Sequence, residues 1–231
     1  MSKKITKEVK ALIKDSKELA IYELSNNHLY ELFTKYPKHV NAKGIVAKVL
    51  ILGRTYAAAI ERGRGSKGAM TNDEFYTNEV PTAFKGLRLD QKLQAITKMQ
   101  TLEKSTESCL KAHWVLMKGI KDITGKDKRS FCSKYLHFHS PENFFLYDFT
   151  SLRGLKNLSY FLTEIEGSVN TFPIYKGNWD MQYFNFYQSC VQTKSKIEKV
   201  LGKELTYREF DALIITAGKK NGIASDLKLA A

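Results

Sequence analysis

Apolar positions recur along this chain with the 3.6-residue period of helices and almost nowhere with the period of strands. Val9, Leu12, Ile13, Leu19, Ile21 and Leu24, set among lysines and acids, predict an amphipathic helix over about residues 7–24. Asn26-Asn27 predicts an interruption, with a short helix before Pro37. Ile45, Val46, Val49, Leu50 and Ile60 predict a more apolar, central helix over about 42–61, ended by Gly63, Gly65 and Gly68 in "ERGRGSKGAM". A loop-rich stretch is expected from there to about Arg88.

A long helical pattern follows in "LDQKLQAITKMQTLEKSTESCLKAHWVLMKGIKDI", with a break expected near Ser105–Ser108 and a stop at Thr124-Gly125. The next helix is expected from Arg129 to just before Pro141, because the residue ahead of a proline avoids helical dihedrals. Further helices are expected over about 152–162 and 181–201. The last one opens on Thr206 with Glu209 three residues on, a capping box, and Gly218 stands where it is expected to stop. Only "FFLY" and "TFPIY" read as strand, so the predicted fold is all-α or nearly so. Residues 1–231 read as a single helical domain, a two-lobed bundle whose lobes meet at a cleft near 124–150.

Charge changes this picture most. Against 24 acidic residues stand 37 basic ones, a net +13, and a surplus of that size points to a polyanionic partner. Cys109, Cys132 and Cys190 lie far apart with no CxxC pair, which fits buried thiols in a reducing compartment and gives no zinc site. The N-terminal segment is charged throughout, without the apolar core of a secretory signal, and no window reads as a membrane span. The expected location is cytoplasmic, with no membrane association and no obligate protein partner.

The densest chemistry lies in "TGKDKRSFCSKYLHFHSPENFFLYDFT", Thr124 to Thr150. On a helix starting at Arg129, the residues Phe131, Cys132, Tyr135, Leu136 and Phe138 share one side. Ser130, Ser133, Lys134 and His137 share the other, as a polar stripe. Ahead of it, Gly125, Lys126, Lys128, Arg129 and Ser130 offer a glycine turn, free backbone N–H groups and cations, the ingredients of a phosphate seat. Arg62, Arg64 and Lys67 in the glycine loop are a second set of candidate backbone clamps. Asp148, between Tyr147 and Phe149, is a partly desolvated carboxylate that reads either as a catalytic acid or as the cap of the next helix. His137 and His139 fall on different faces with no suitably spaced third ligand, so no metal or cofactor is expected.

"TGKDKRSFCSKYLHF…FFLYD" resembles the glycine hairpin and downstream aspartate of the helix-hairpin-helix DNA glycosylases, and "SKYLHFHSPENFFLYD" is similar to small oxoguanine-glycosylase-like bacterial proteins. The resemblance covers about thirty residues, with a weaker echo in "VLILGRTYAAAIERG". It implies that Gly125 is the first hairpin glycine, that Asp148 is the catalytic aspartate, and that Arg129 stands where bifunctional members carry a lysine nucleophile. An arginine forms no Schiff base, so the resemblance implies a monofunctional enzyme unless Lys128 or Lys134 supplies the amine. The second hairpin glycine is replaced by Asp127.

On this reading the protein is a DNA glycosylase excising a damaged or modified base, modified phage DNA and hence defence included. Asp148 would act at the sugar, assisted by Lys134, through an oxocarbenium-like state that needs no metal. An extruded base needs flat walls, and the candidates are Tyr56, Trp114, Trp179 and Tyr183, of which Tyr56 and Trp179 each sit beside a basic or loop segment. The alternative is a non-catalytic DNA- or RNA-binding module in which Asp148 is only a cap. A basic, toxin-like partner protein is a third class.

Overall fold

The computed structural model describes residues 3–17, 23–64, 70–99, 102–163, 165 and 178–220. Among them the chain is all-α, with eleven α-helical segments, one π-helical turn and no strand. The helices are α1 (Lys3–Lys17), α2 (Glu23–Lys35), α3 (Ala42–Thr55), α4 (Asn72–Glu74), α5 (Val80–Gly86), α6 (Leu89–Thr97), α7 (Leu102–Thr124), α8 (Arg129–His139), α9 (Phe149–Phe161), α10 (Met181–Leu201) and α11 (Tyr207–Lys219). No described helix is long and apolar enough to cross a membrane.

Several of these differ from the periodicity reading. The helix expected over 7–24 is α1, ending at Lys17, with Leu24 already in α2, and α3 ends at Thr55, leaving Ile60 outside it. Asn26-Asn27 does not interrupt a helix: both lie inside α2, where buried Asn26 accepts a hydrogen bond from Tyr56 Oη at 2.7 Å. The stretch expected to be loop is helical from Asn72 to Gly86. A Thr71–Glu74 capping box starts it, and the backbone widens into the π turn Phe75–Glu79 just ahead of Pro81, which has no N–H to give the ladder. The break in the long pattern falls before Leu102, and α7 runs straight through Ser105–Ser108. The Thr206–Glu209 capping box starts α11 as expected, but Gly218 does not end it: the helix continues to Lys219. "FFLY" is irregular backbone, and "TFPIY" lies outside the described residues.

The chain divides into two units, the second boundary falling inside the 124–150 stretch. Unit 1 lies within Met1–Glu23, Phe145–Ile174 and Gln182–Ala231; unit 2 within Leu24–Phe144 and Tyr175–Met181. In unit 1, α9 packs closely on α11. A Cβ built on Gly154 would stand 1.8 Å from Ile214 O, and one on Gly218 would stand 2.2 Å from Thr150 O. Asn157 Nδ2 ties the pair by donating to Ala217 O at 2.9 Å. Phe145 seats the start of this unit, stacked on Tyr207 with ring centres 4.2 Å apart.

Unit 2 is built around α8, in which every residue from Phe131 to Phe138 is buried. α3 and α7 both pack against it. Asn41 caps α3 by accepting from Gly44 N at 3.1 Å, and α3 ends where Ala57 takes a left-handed φ of 50°. α7 stops at Gly125 (φ 71°), and Thr124 Oγ1 accepts from Lys126 N at 3.2 Å to shape the four-residue turn into α8.

Candidate functional site

α8 begins against its own dipole. A helix N-terminus carries partial positive charge and favours acids, yet the first turn of α8 has none and is led by Lys126, Lys128 and Arg129. Asp127, the one acid in the turn, is paired with Lys121 at 3.1 Å. Lys128 Nζ donates to the backbone carbonyl of Arg62 at 2.5 Å, and the Arg62 charge lies close enough to act on Lys128. Burial, together with Lys126 and Arg62 nearby, lowers the Lys128 pKa, and Glu61 opposes that shift. Two basic segments more than sixty residues apart thus converge on one helix start.

Other members of the predicted clamp go elsewhere. Arg129 is ion-paired with Asp180, which is almost wholly buried. Arg64 donates to Met70 O at 2.8 Å and lies 4.5 Å over the Phe75 ring. Ser130 turns inward and accepts from Lys134 Nζ at 2.9 Å. Lys67 lies outside the described residues.

Lys134 is the largest departure from the polar-stripe expectation. Ser130 and Lys134 do share a face, but α8 is enclosed on all sides and Lys134 is 1% exposed. Its ammonium lies 5.5 Å from the ring centre of Tyr56, a cation–π contact on a ring anchored through Asn26. His137 is buried as well. Its Nδ1–H donates to Phe144 O and its Nε2 accepts from Tyr30 Oη, both at 2.8 Å, which fixes the chain leaving α8. Trp179 is buried in unit 2, and Trp114 is half-buried on α7.

In unit 1, Asp148 is the N-cap of α9, its Oδ1 accepting from Ser151 N at 2.8 Å. It remains half-exposed, one residue before Phe149, which is open to solvent. Tyr183 is fully buried and donates to Phe145 O at 3.1 Å.

Unit 2 also holds a polar cluster that the periodicity reading missed. His39 Nδ1–H donates to Asp90 Oδ1 at 2.5 Å, the backbone N of His39 reaches the same carboxylate, and Tyr135 Oη donates to His39 Nε2 at 2.9 Å. Lys48, with no exposed surface, donates to Tyr36 O at 2.8 Å and to His139 Nε2 at 3.1 Å. Burial first, then Lys48, lowers His39 to about 4 despite the Asp90 carboxylate beside it, so His39–Asp90 is a hydrogen bond donated by a neutral imidazole rather than an ion pair. Burial lowers Lys48 to about 8. Asp90 and His139 also line an open pocket of about 700 Å³ with Tyr30, Phe33 and Phe138. One signal was readable: Lys48 sits at a core register of α3, between Ile45, Val49 and Leu52.

A protein-family model, HI_0787_N, described as an N-terminal domain, matches residues 8–143, over half of the chain. The match takes in the basic convergence, Lys134 and the His39–Asp90 cluster, and ends five residues before Asp148. No curated protein and no solved structure matches the chain.

Proposed function

We propose that the chain, which belongs to the HI_0787_N family, is a DNA glycosylase acting on a damaged or modified base. The observation that carries the reading is the convergence of Arg62, Lys126 and Lys128 at the start of α8. Cations at the positive end of a helix repel one another and the dipole, and a phosphate relieves both. On this reading α7, the Gly125 turn and α8 serve as the backbone-gripping hairpin.

Asp148 then acts at the sugar, stabilising positive charge as the N-glycosidic bond breaks or activating the incoming water. Its place at the start of α9 suits the carboxylate form, since a helix N-terminus favours negative charge. Lys134, enclosed on α8 with its ammonium on Ser130 and over the Tyr56 ring, is not required by this reading. An arginine forms no Schiff base and Lys134 is 1% exposed, so Lys128 is the amine left for any covalent step, and borohydride reduction on substrate DNA reads that step as a cross-link.

The second reading, a DNA-binding module without chemistry, is favoured by the Asp148–Ser151 cap, which gives Asp148 a structural task. Abasic-site formation on a panel of DNAs, including DNA with hypermodified bases, separates the two. Asp148→Asn keeps a capping oxygen, so it is expected to abolish base release, by a factor of a hundred or more, while duplex affinity stays within about twofold. Base release unchanged in Asp148→Asn, or absent on every DNA with salt-sensitive binding retained, sinks the glycosylase reading.

A further inference from the structure

One face of α9 is left open. Phe149, Leu152, Arg153 and Lys156 follow at i, i+3, i+4 and i+7, and all four are exposed, Phe149 by 77%. A large aromatic ring usually gains by burial, so one held in water at the first residue of a helix is a candidate contact. Arg153 Cζ lies 5.9 Å from the centre of that ring, joining cation and aromatic in one patch. Lys156 and Leu152 continue the face into an open groove of about 470 Å³ between α9 and α10, where Gln182 and Asn185 add hydrogen-bonding groups to Tyr147 and Phe186.

The charge of this face selects its occupant. α9 has two cations on its open face and no acid anywhere in its sequence. An apolar protein partner would leave Arg153 and Lys156 without counter-charge, whereas a polyanion meets both. Nucleic acid also gives the ring a place, because every base presents a flat face and apolar side chains can be inserted between base steps.

We infer that this face binds DNA, with Phe149 filling the gap left in the stack by a missing or extruded base and Arg153 and Lys156 lying on the flanking phosphates. The assignment builds on the glycosylase reading and deepens it, since Phe149 adjoins Asp148 in the chain.

The test is binding of the full chain to two short duplexes, one intact and one carrying a tetrahydrofuran abasic analogue, read by fluorescence anisotropy. 2-Aminopurine beside the gap reports stacking. The wild type is expected to prefer the gapped duplex at least about fivefold, the low end for one aromatic–base stack. Phe149→Ala is expected to remove that preference, with intact-duplex affinity within about twofold, and Phe149→Trp to keep it. Arg153→Gln and Lys156→Gln are each expected to weaken both duplexes and to reduce the salt slope by about one. No gap preference, or one that survives Phe149→Ala, overturns the inference. So does sedimentation in which Phe149→Ala turns a dimer into a monomer, which assigns the face to a second copy of the chain. Binding to an abasic analogue requires no base release. A Phe149-dependent preference without base release therefore sinks only the glycosylase reading, and base release without that preference sinks only the wedge.

Discussion

Gly154→Ala is expected to destabilise unit 1 by roughly 3 kcal/mol or more, at the upper end for overpacking. The new Cβ would stand 1.8 Å from Ile214 O and 2.7 Å from its carbonyl carbon, and both are backbone atoms of α11 that no side-chain rotation can move aside. Gly218→Ala meets the same obstacle from the other helix, at 2.2 Å from Thr150 O. α9 and α11 would have to separate, breaking the Asn157–Ala217 bond and exposing Leu155, Leu158, Leu213 and Ile214, all buried at present. Alanine is the better helix former at both positions, by about 1 kcal/mol, so any loss understates the clash. Gly86→Ala is the control: a Cβ there meets nothing within 4 Å, and the substitution should be neutral or slightly stabilising. Urea titration of the three variants decides it. A Gly154→Ala midpoint equal to wild type would mean that the two helices do not cross on these glycines.

These same glycines mark where sequence reading succeeds and where it stops. Periodicity located α8, α10 and the capping box of α11 because those signals are local: a proline ahead, a glycine turn, a threonine with a glutamate three residues on. A glycine near a helix end most often stops the helix, whereas Gly218 permits a close crossing, which depends on a helix more than sixty residues away. Asn26-Asn27 reads as a break because asparagine favours turns, yet the Asn26 amide oxygen accepts from Tyr56, thirty residues on. In the site, spacing put Ser130 and Lys134 on one face, and they are hydrogen-bonded there. Depth was not legible: period gives the direction of a side chain and leaves open how many neighbours surround the helix, so Ser133, Lys134 and His137 of the polar stripe prove buried. His39, Asp90 and Tyr135 come from three distant segments and became a cluster only on folding. Lys48 was the readable exception, a charge at a core register.

Acidification from pH 7 to about 4.5 should cost this protein a large share of its stability, and the histidines of unit 2 are the reason. His39 and His113 are each lowered from 6.5 to about 4, in both cases first by burial. His139 is lowered well below 6.5 by burial, then by Lys48 and by His39, whose ring centre is 4.7 Å away. Asp90 opposes the shift at His39, and Asp180 opposes it at His113. Between pH 6.5 and 4 the unfolded chain therefore binds protons that the folded chain refuses. Stability is full above 6.5 and falls as pH drops toward 4. At about 1.4 kcal/mol per tenfold, each of the two histidines that fall to about 4 withdraws roughly 3 kcal/mol by the bottom of that window, set against a typical total of about 5–15 kcal/mol. Ordinary carboxylates titrate near 4, so the limb from 6.5 to 4.5 belongs mainly to histidine. Urea midpoints taken across that limb should fall steadily, and a midpoint unchanged from pH 7 to 4.5 would refute the neutral, buried state of these rings. Lys48→Met removes the cation that faces both His39 and His139, so its acid limb should be shallower than that of wild type even though the Tyr36 hydrogen bond is lost. If the limb keeps its slope in Lys48→Met, burial alone holds the imidazoles neutral and the lysine is there to anchor the Tyr36 carbonyl.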